Sequence, residues 1–238
     1  MHRVLLGGAV IATLLLGVGA EPASAATFSN SSPITINDSG AGCGGGPMQA
    51  QASPYPSQIQ VSGQIGTLTD VNVTINGFSH PSTADVRMLL AGPHGQSTLL
   101  MQNVGSFTTL ASNDVITFDD AAAGMIPSQI VSGTFKPSQE THGCNFSNYL
   151  AFPPPAPSPG YSPNLAGFNG TDSNGTWSLY VVDAVIGDAG SISGGWSLDL
   201  AEVSPTTGQR AAALKKCKKK RSHQARKKCK RKANLLPV

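Results

Sequence analysis

Charged and aromatic side chains are both scarce in this sequence. Asp, Glu, Lys and Arg make up 12% of the 238 residues, and Phe, Trp and Tyr make up 6%. Soluble domains average about 25% charged residues, so this composition argues against a surface of helices laced with ion pairs. The chain instead carries 27 glycines and 17 prolines, and no stretch of the body keeps a 3.6-residue apolar period. This composition is typical of an all-β sandwich or barrel.

The common catalytic signatures are also missing. The sequence contains no Gly-x-Ser-x-Gly, no His-Glu-x-x-His and no Cys-x-x-Cys, which are patterns of serine hydrolases, zinc proteases and metal or redox sites. His80 follows a predicted strand in a turn, where we expect a structural hydrogen bond. We therefore expect no catalytic activity of the chain's own, and an independent hydrolase is the least favoured function.

A long apolar run occurs only at the N-terminus, from Val4 to Gly19. A basic start precedes it, and the small residues Ala23-Ser24-Ala25 follow it. This order predicts a secretory signal peptide over residues 1–25, cleaved after Ala25, and hence a secreted, extracellular protein. A membrane anchor is the alternative, which the short run and the cleavage pattern disfavour. No later segment is long and apolar enough to span a bilayer.

Charge divides the remaining chain into two unlike parts. Residues 26–203 hold two basic and twelve acidic residues, a net charge of −10, whereas residues 204–238 hold 13 of the 16 basic residues and no acidic one. Such asymmetry is typical of a chain with a basic interaction tail. We therefore divide the chain into the signal peptide (1–25), a lead-in segment (26–47), a β-sandwich (48–203) and a polybasic tail (204–238).

About eight strands are predicted in the sandwich. They are alternating or apolar runs between turn residues: 58–61, 71–75, 86–90, 97–101, 115–118, 132–137, 176–183 and 196–200. The last two strands each begin near a tryptophan, Trp177 and Trp196. Two strands alone cannot bury two indoles, so an opposing sheet is required. The Pro-rich stretch 153–163 predicts an exposed, extended loop. A two-sheet jelly roll fits this pattern.

Collinear segments over residues 48–201 resemble the P domain (P/Homo B domain) of kexin- and furin-type proprotein convertases and of bacterial subtilisin-like secreted proteases. The segments are IQVSG (59–63), LTDVNV (68–73), GFSH (77–80), DVRMLLAGP (85–93), ITFDD (116–120), SGTFKP (132–137), NGTWSL (174–179), GSI (190–192) and WSL (196–198). The resemblance implies a galactose-binding-like jelly roll without catalytic residues. It also implies an association with serine-type endopeptidases and proteolysis, because the family domain packs on the protease and supports its stability and calcium dependence. The Asp, His and Ser motifs of the catalytic domain itself are absent from the sequence.

Calcium is the one cofactor that the sequence indicates. Hard cations bind several carboxylate and carbonyl oxygens in loops, and five aspartates stand beside predicted strands: Asp119, Asp120, Asp172, Asp183 and Asp188. We take these as candidate calcium ligands, partly because the resembling convertases depend on calcium. The alternative is that the five aspartates cap turns and accept hydrogen bonds from local backbone amides.

Four cysteines in a secreted chain predict disulfides, with three pairings open. Cys43 and Cys144 lie in the body, and Cys217 and Cys229 lie in the tail. Pairing within the body and within the tail is the simplest arrangement. Free thiols or an intermolecular bridge are the alternatives.

The tail contains a near repeat, KKCKKK (215–220) and KKCKRK (227–232). Like charges at this density predict a segment that is disordered by itself, or a small loop if a disulfide closes it. The residues predicted to bind a polyanion are Lys215, Lys216, Lys218, Lys219, Lys220, Arg221, Arg226, Lys227, Lys228, Lys230, Arg231 and Lys232. An anionic cell-envelope polymer or lipid is the expected partner. Nucleic acid is disfavoured, because no aromatic side chain stands among the cations to stack on bases. The alternative is a solubilising tail that folds back on the acidic body.

Two functional hypotheses follow. The first is a secreted, non-catalytic binding or structural module that its polybasic tail holds at the cell envelope. The second is a detached accessory domain that stabilises or regulates a separate subtilisin-like protease, and it rests on the family resemblance alone.

Overall fold

The computed structural model of the protein describes residues 24–38, 49–105, 108–139, 151–203 and 208–234. Within these ranges, strands in two sheets form the body and two helices lie near the C-terminus. The strands are β1 (Ser24–Asn30), β2 (Ile34–Ile36), β3 (Ala50–Gln51), β4 (Ser57–Val61), β5 (Thr67–His80), β6 (Val86–Ala91), β7 (Ser97–Gln102), β8 (Ala111–Phe118), β9 (Gly133–Phe135), β10 (Ser138–Gln139), β11 (Gly175–Asp183), β12 (Gly190–Ile192) and β13 (Trp196–Val203). The helices are α1 (Gln209–Lys218) and α2 (His223–Ala233). The predicted all-β sandwich is confirmed.

The first sheet is arranged around β5. On one edge of β5, β13 pairs with residues 67–75 and β12 pairs with residues 78–79, and β8 pairs along the other edge. β1, β2 and β9 extend the sheet beyond β13, β12 and β8. The second sheet is arranged around β11, which pairs with β6 on one edge and with β4 and β3 on the other. β7 and β10 extend this sheet beyond β6.

The two tryptophans face the core from opposite sheets. Trp177 lies on β11 and Trp196 on β13, and both are fully buried. Each indole nitrogen has a buried acceptor: Trp177 Nε1 donates to the carbonyl of Ser173 at 2.9 Å, and Trp196 Nε1 donates to Ser57 Oγ at 3.0 Å. Each tryptophan strand therefore belongs to the sheet that covers the indole of the other strand.

A glycine lets β5 continue where the sequence predicted a turn. The pattern indicated a strand over 71–75 that ends at Asn76-Gly77, but β5 runs for 14 residues to His80. Gly77 has φ +75°, and the pairing with β8 shifts register between Asn76 and Phe78. A Cβ at Gly77 would lie 2.2 Å from Ser193 Oγ. The glycine thus forms a bulge within the strand and does not end it.

The N-terminal segment belongs to the first sheet. The sequence predicted a separate lead-in segment over residues 26–47, but β1 and β2 pair with β13 and β12. Phe28 packs against the core, and Ile34 and Ile36 are buried in it. These apolar contacts hold β1 and β2 on the first sheet. The predicted cleavage position after Ala25 lies after the second residue of β1.

The Pro-rich segment covers the outer face of the second sheet. The sequence predicted an exposed, extended loop over 153–163, and none of these residues is fully buried. Phe152, which directly precedes the loop, is buried with Tyr180 and Leu89, and Tyr161 of the loop packs against this cluster. Arg87 is fully buried beneath it, with its guanidinium carbon 4.6 Å from the Phe152 ring centroid. Apolar residues on the outward face of β6, β7 and β11 account for the packing.

No helix in the described ranges has the length and hydropathy of a membrane span.

Candidate functional site

The polybasic tail forms a helical hairpin. The first helix, α1, contains three consecutive alanines and Leu214, which are strong helix formers. It ends at Lys218, and the connection 219–222 leads directly into α2. The prediction that the tail is disordered by itself is therefore wrong for residues 208–234. We call these residues the basic hairpin.

A disulfide joins the two helices. Cys217 and Cys229 lie 5.4 Å apart at their Cα atoms and are bonded, which is the pairing within the tail that the sequence favoured. Cys217 is fully buried in the hairpin. Closing a loop of this length removes about 3 kcal/mol of unfolded-state entropy in the loop-closure model. Body cysteines Cys43 and Cys144 lie outside the described residues.

Local hydrogen bonds close the connection between the helices. Ser222 is the N-cap of α2, and its Oγ accepts a hydrogen bond from the backbone amide of Ala225 at 3.1 Å. Arg226 Nε donates to the carbonyl of Lys220 at 2.6 Å. An N-cap of this kind stabilises a helix by about 1 kcal/mol.

These contributions outweigh the like-charge repulsion within α2. Cations four residues apart, such as Lys227 and Arg231 or Lys228 and Lys232, cost about 0.2–0.5 kcal/mol per pair. The last turn of each helix is basic, and cations there are favourable beside the negative end of the helix dipole. The disulfide, the serine N-cap of α2 and the cations in the last turns therefore explain why so basic a segment is helical.

The basic hairpin carries 13 cations and no carboxylate side chain. All twelve cations predicted to bind a polyanion are exposed. Three of them lie on α1 (Lys215, Lys216, Lys218), three in the connection (Lys219, Lys220, Arg221) and six on α2 (Arg226, Lys227, Lys228, Lys230, Arg231, Lys232). The hairpin thus concentrates point charges of one sign on a folded unit, which is the arrangement that attracts a polyanion.

A second cluster of titratable side chains is buried at one end of the sandwich. His80, at the end of β5, lies with Nε2 3.2 Å from Asp183 Oδ2, at the end of β11. Its Nδ1 lies 2.7 Å from the carbonyl oxygen of Ser82. The backbone amide nitrogen of Ser82 also lies 3.2 Å from Nδ1, so the donor and acceptor roles of the two ring nitrogens depend on the tautomer. The pair is completely buried.

Asp85 adds another carboxylate to this end of the sandwich. Asp85 is 2% exposed, and its Oδ1 has no hydrogen-bond partner among the described residues. The pKa of Asp85 is raised to about 6: burial and the carboxylates of Asp183 and Asp188 raise it, against the smaller lowering effects of Ser82 and His80. Burial likewise raises the pKa of Asp183, against the contact with His80. Sequence reasoning missed Asp85, although an aspartate directly before an apolar strand is a visible signal of a buried acid.

The geometry of this cluster is structural and does not resemble a nucleophile–base pair. A cavity of about 460 Å³ opens beside His80. Yet both ring nitrogens face Asp183 or backbone atoms of Ser82, and none of these contacts is with a hydroxyl or thiol. General-base catalysis needs a ring nitrogen within reach of the nucleophile's proton. This agrees with the structural hydrogen bond expected for His80.

Four of the candidate calcium ligands accept hydrogen bonds from nearby backbone amides. Asp172 Oδ1 accepts from the amide of Asn174, and Asp119 Oδ1 accepts from the amide of Ala121. Asp120 accepts from the two amides at 165–166, which begin a short 3-10 helix. Asp183 Oδ1 accepts from the amide at position 185. These are turn-capping contacts.

Among the described residues, no group of three or more His, Cys, Asp or Glu side chains is arranged to hold a metal ion. Asp188 stands near Asp85 and contributes to its raised pKa. Calcium binding therefore stays a prediction.

Comparison with known proteins adds little evidence about function. No protein-family model matches the sequence, and no curated protein matches it. One similar solved chain is in the complex of the Aeromonas sobria serine protease with its chaperone: 13% identity, TM-score 0.36, covering 78% of this chain and 28% of that one. Another is the same serine protease by itself: 13% identity, TM-score 0.33, covering 76% of this chain and 27% of that one. The chain spans less than a third of either neighbour, and similarity at this level carries no argument about function.

Proposed function

We propose that this protein is a secreted, non-catalytic β-sandwich module that its basic hairpin holds on an anionic polymer of the cell envelope. One observation carries the proposal: 13 cations without a single carboxylate side chain stand on a helical, disulfide-closed unit. A chain segment kept only for solubility needs no defined fold. A binding unit gains affinity when its cations are already held in place.

A polymer fits the hairpin better than a bilayer surface. Membrane-binding amphipathic helices bury a face of large apolar or aromatic side chains in the interface. Apart from its cations and polar residues, the hairpin has only alanines, two bonded cysteines and the half-buried Leu214. Its attraction is therefore electrostatic, and it should weaken steeply as salt screens the charges.

The test is salt-dependent retention on a polyanion. The full chain is applied to linear polyphosphate on agarose and eluted with rising salt. For about six phosphate contacts, affinity is expected to fall about 10³-fold between about 50 and 200 mM salt. Replacing the six cations of α2 by Gln, a good helix former, should reduce retention at least about tenfold. The matched control replaces the four lysines of α2 by Arg, which keeps every charge, and retention should then persist.

Three other outcomes are informative. Equal retention of the Gln variant and the parent, or retention indifferent to salt, would contradict the proposal. Stronger binding to vesicles of phosphatidylglycerol than to the polymer would point to a lipid partner. No retention, together with a radius of gyration that increases with salt, would mean that the hairpin folds back on the acidic body.

A second candidate function is an accessory domain of a separate subtilisin-like protease. It is supported by the segments that resemble the P domain, which fall on β4, β5, β6, β8, β9, β11, β12 and β13 and include His80, Asp85 and the two tryptophans. Its test is whether the full chain binds a secreted subtilisin-like protease and raises that protease's melting temperature, with the six-Gln variant as the control. An effect that the Gln variant retains comes from the sandwich, whereas one that it loses comes from the hairpin.

A further inference from the structure

The disulfide of the basic hairpin connects two equivalent positions of the sequence repeat. Cys217 is the third residue of KKCKKK, and Cys229 is the third residue of KKCKRK. The four-residue connection and the disulfide hold α1 and α2 against one another, so the two copies of the repeat are joined at their matching cysteines. Each cation that flanks one cysteine therefore has a counterpart that flanks the other.

Helical geometry places these flanking cations on opposite sides of the hairpin. Successive residues of an α-helix are rotated by about 100°, so the residues before and after a cysteine that faces the other helix point to opposite lateral faces. In a hairpin whose two helices run antiparallel, Lys216 and Lys228, which precede the cysteines, share one face, and Lys218 and Lys230, which follow them, share the other. All four side chains are exposed.

Two further cations of α2 extend the two faces. Lys232, four residues after Lys228, lies on the first face, and Arg226, four residues before Lys230, lies on the second. Face one is thus Lys216, Lys228 and Lys232, and face two is Lys218, Arg226 and Lys230, all exposed. Neither face contains an acidic side chain.

We propose that the basic hairpin is bivalent and joins two segments of anionic polymer, one on each lateral face. This inference rests on the proposed function and adds a cross-linking activity to it. A helix with its side chains is about 10 Å thick, whereas the Debye length at physiological salt is about 8 Å. A polymer segment that neutralises one face therefore leaves most of the attraction of the other face in place.

The disulfide has a specific part in this arrangement. It fixes the rotation of each helix about its own axis, because the two cysteine side chains must face one another. With that rotation fixed, three cations stay on each lateral face. Without the disulfide, the two helices can turn independently, and the segment can wrap around a single polymer strand.

The experiment measures bridging separately from binding. Beads coated with linear polyphosphate are mixed with the full chain, and light scattering is recorded as the ratio of protein to beads rises. A bivalent protein produces a maximum at an intermediate ratio and then a decline, because excess protein covers every bead. Binding of protein to the beads is measured in parallel by depletion from the supernatant.

Matched variants then test the two faces. K216Q/K228Q/K232Q removes the three charges of face one, and K215Q/K218Q/K228Q removes three charges spread over both faces and the outer edge. We expect the first variant to bind beads but to reduce maximal scattering at least tenfold. The second variant is expected to stay within about threefold of the parent. C217S/C229S should lose bridging more than binding.

Each possible result bears on one of the two proposals. If the parent binds beads but scattering never rises, or if the two triple variants bridge equally, bivalency is overturned and the proposed function stands. If C217S/C229S bridges as well as the parent, the two faces do not depend on the disulfide and the inference is overturned in this form. If the parent fails to bind the beads, the proposed function itself fails.

Discussion

The substitution Asp85→Asn tests the buried acidic cluster most sharply. Burial and the neighbouring carboxylates raise the pKa of Asp85 from 3.8 to about 6. A carboxyl with a raised pKa in the folded protein binds protons more tightly there than in the unfolded chain. Its contribution to stability is therefore full below about pH 4 and is lost as the pH rises through about 6. A shift of about two pH units corresponds to about 3 kcal/mol.

We therefore expect Asp85→Asn to raise the free energy of unfolding by about 2 kcal/mol at pH 7 and to have little effect at pH 4.5. The amide recovers less than the full 3 kcal/mol, because it brings two N–H donors to a buried site. Urea unfolding followed by tryptophan fluorescence is the assay, since both tryptophans are fully buried in the core. Stability is compared between variant and parent at several pH values from about 4.5 to 7.

Asp172→Asn is the matched control. Asp172 is exposed, and hydrogen bonds from the backbone and side chain of Asn174 lower its pKa, so its pH dependence has the opposite sign. A raised pKa for Asp85 is refuted if the stability difference between Asp85→Asn and the parent is the same at pH 4.5 and pH 7. It is also refuted if the variant is less stable than the parent at pH 7.

Four further predictions use stability or spectroscopy as their measurement. Arg87→Ala should lower the free energy of unfolding by about 3 kcal/mol, because it removes a fully buried guanidinium together with its hydrogen bonds and its contact with the Phe152 ring. A loss below about 1 kcal/mol would contradict a structural role for these contacts. Gly77→Ala should cost about 1–3 kcal/mol by urea unfolding, because φ is +75° and the new Cβ would meet Ser193 Oγ. Cys217→Ser with Cys229→Ser should decrease helical circular dichroism and leave the tryptophan unfolding curve unchanged, since the disulfide stabilises the hairpin alone; a destabilised body would overturn this. If the predicted calcium site forms, calcium should raise the melting temperature relative to chelator, whereas an unchanged melting temperature would leave the candidate aspartates as turn caps.

The tail shows where reasoning from local charge was insufficient. The density of lysine and arginine predicts disorder by repulsion, yet each like-charge pair costs only a few tenths of a kcal/mol in water. One disulfide of about 3 kcal/mol and a serine N-cap outweigh that cost. The near repeat and the pairing of its cysteines were visible in the sequence. The sequence did not show that the repeat lies on two helices that a disulfide joins, because that depends on helical geometry.

The sequence by itself determined the properties that depend on local pattern. Alternating strands such as 71–75, frequent turn residues and the absence of helical periodicity specify an all-β body, because side-chain direction follows directly from strand geometry. The opposite net charges of residues 26–203 and 204–238 can likewise be counted without knowledge of the fold. His80 was expected to make a structural hydrogen bond from its place after a strand, and it makes one.

Only the tertiary structure decided which distant residues meet. His80 and Asp183 are 103 residues apart in the chain and touch because β5 and β11, in different sheets, end at the same end of the sandwich. The two tryptophan strands, near neighbours in sequence, separate into opposite sheets and enclose the core. The raised pKa of Asp85 arises from burial and from the carboxylates of Asp183, at the end of β11, and Asp188, in the β11–β12 connection. Strand register and burial are sums over many distant contacts, and no local pattern contains them.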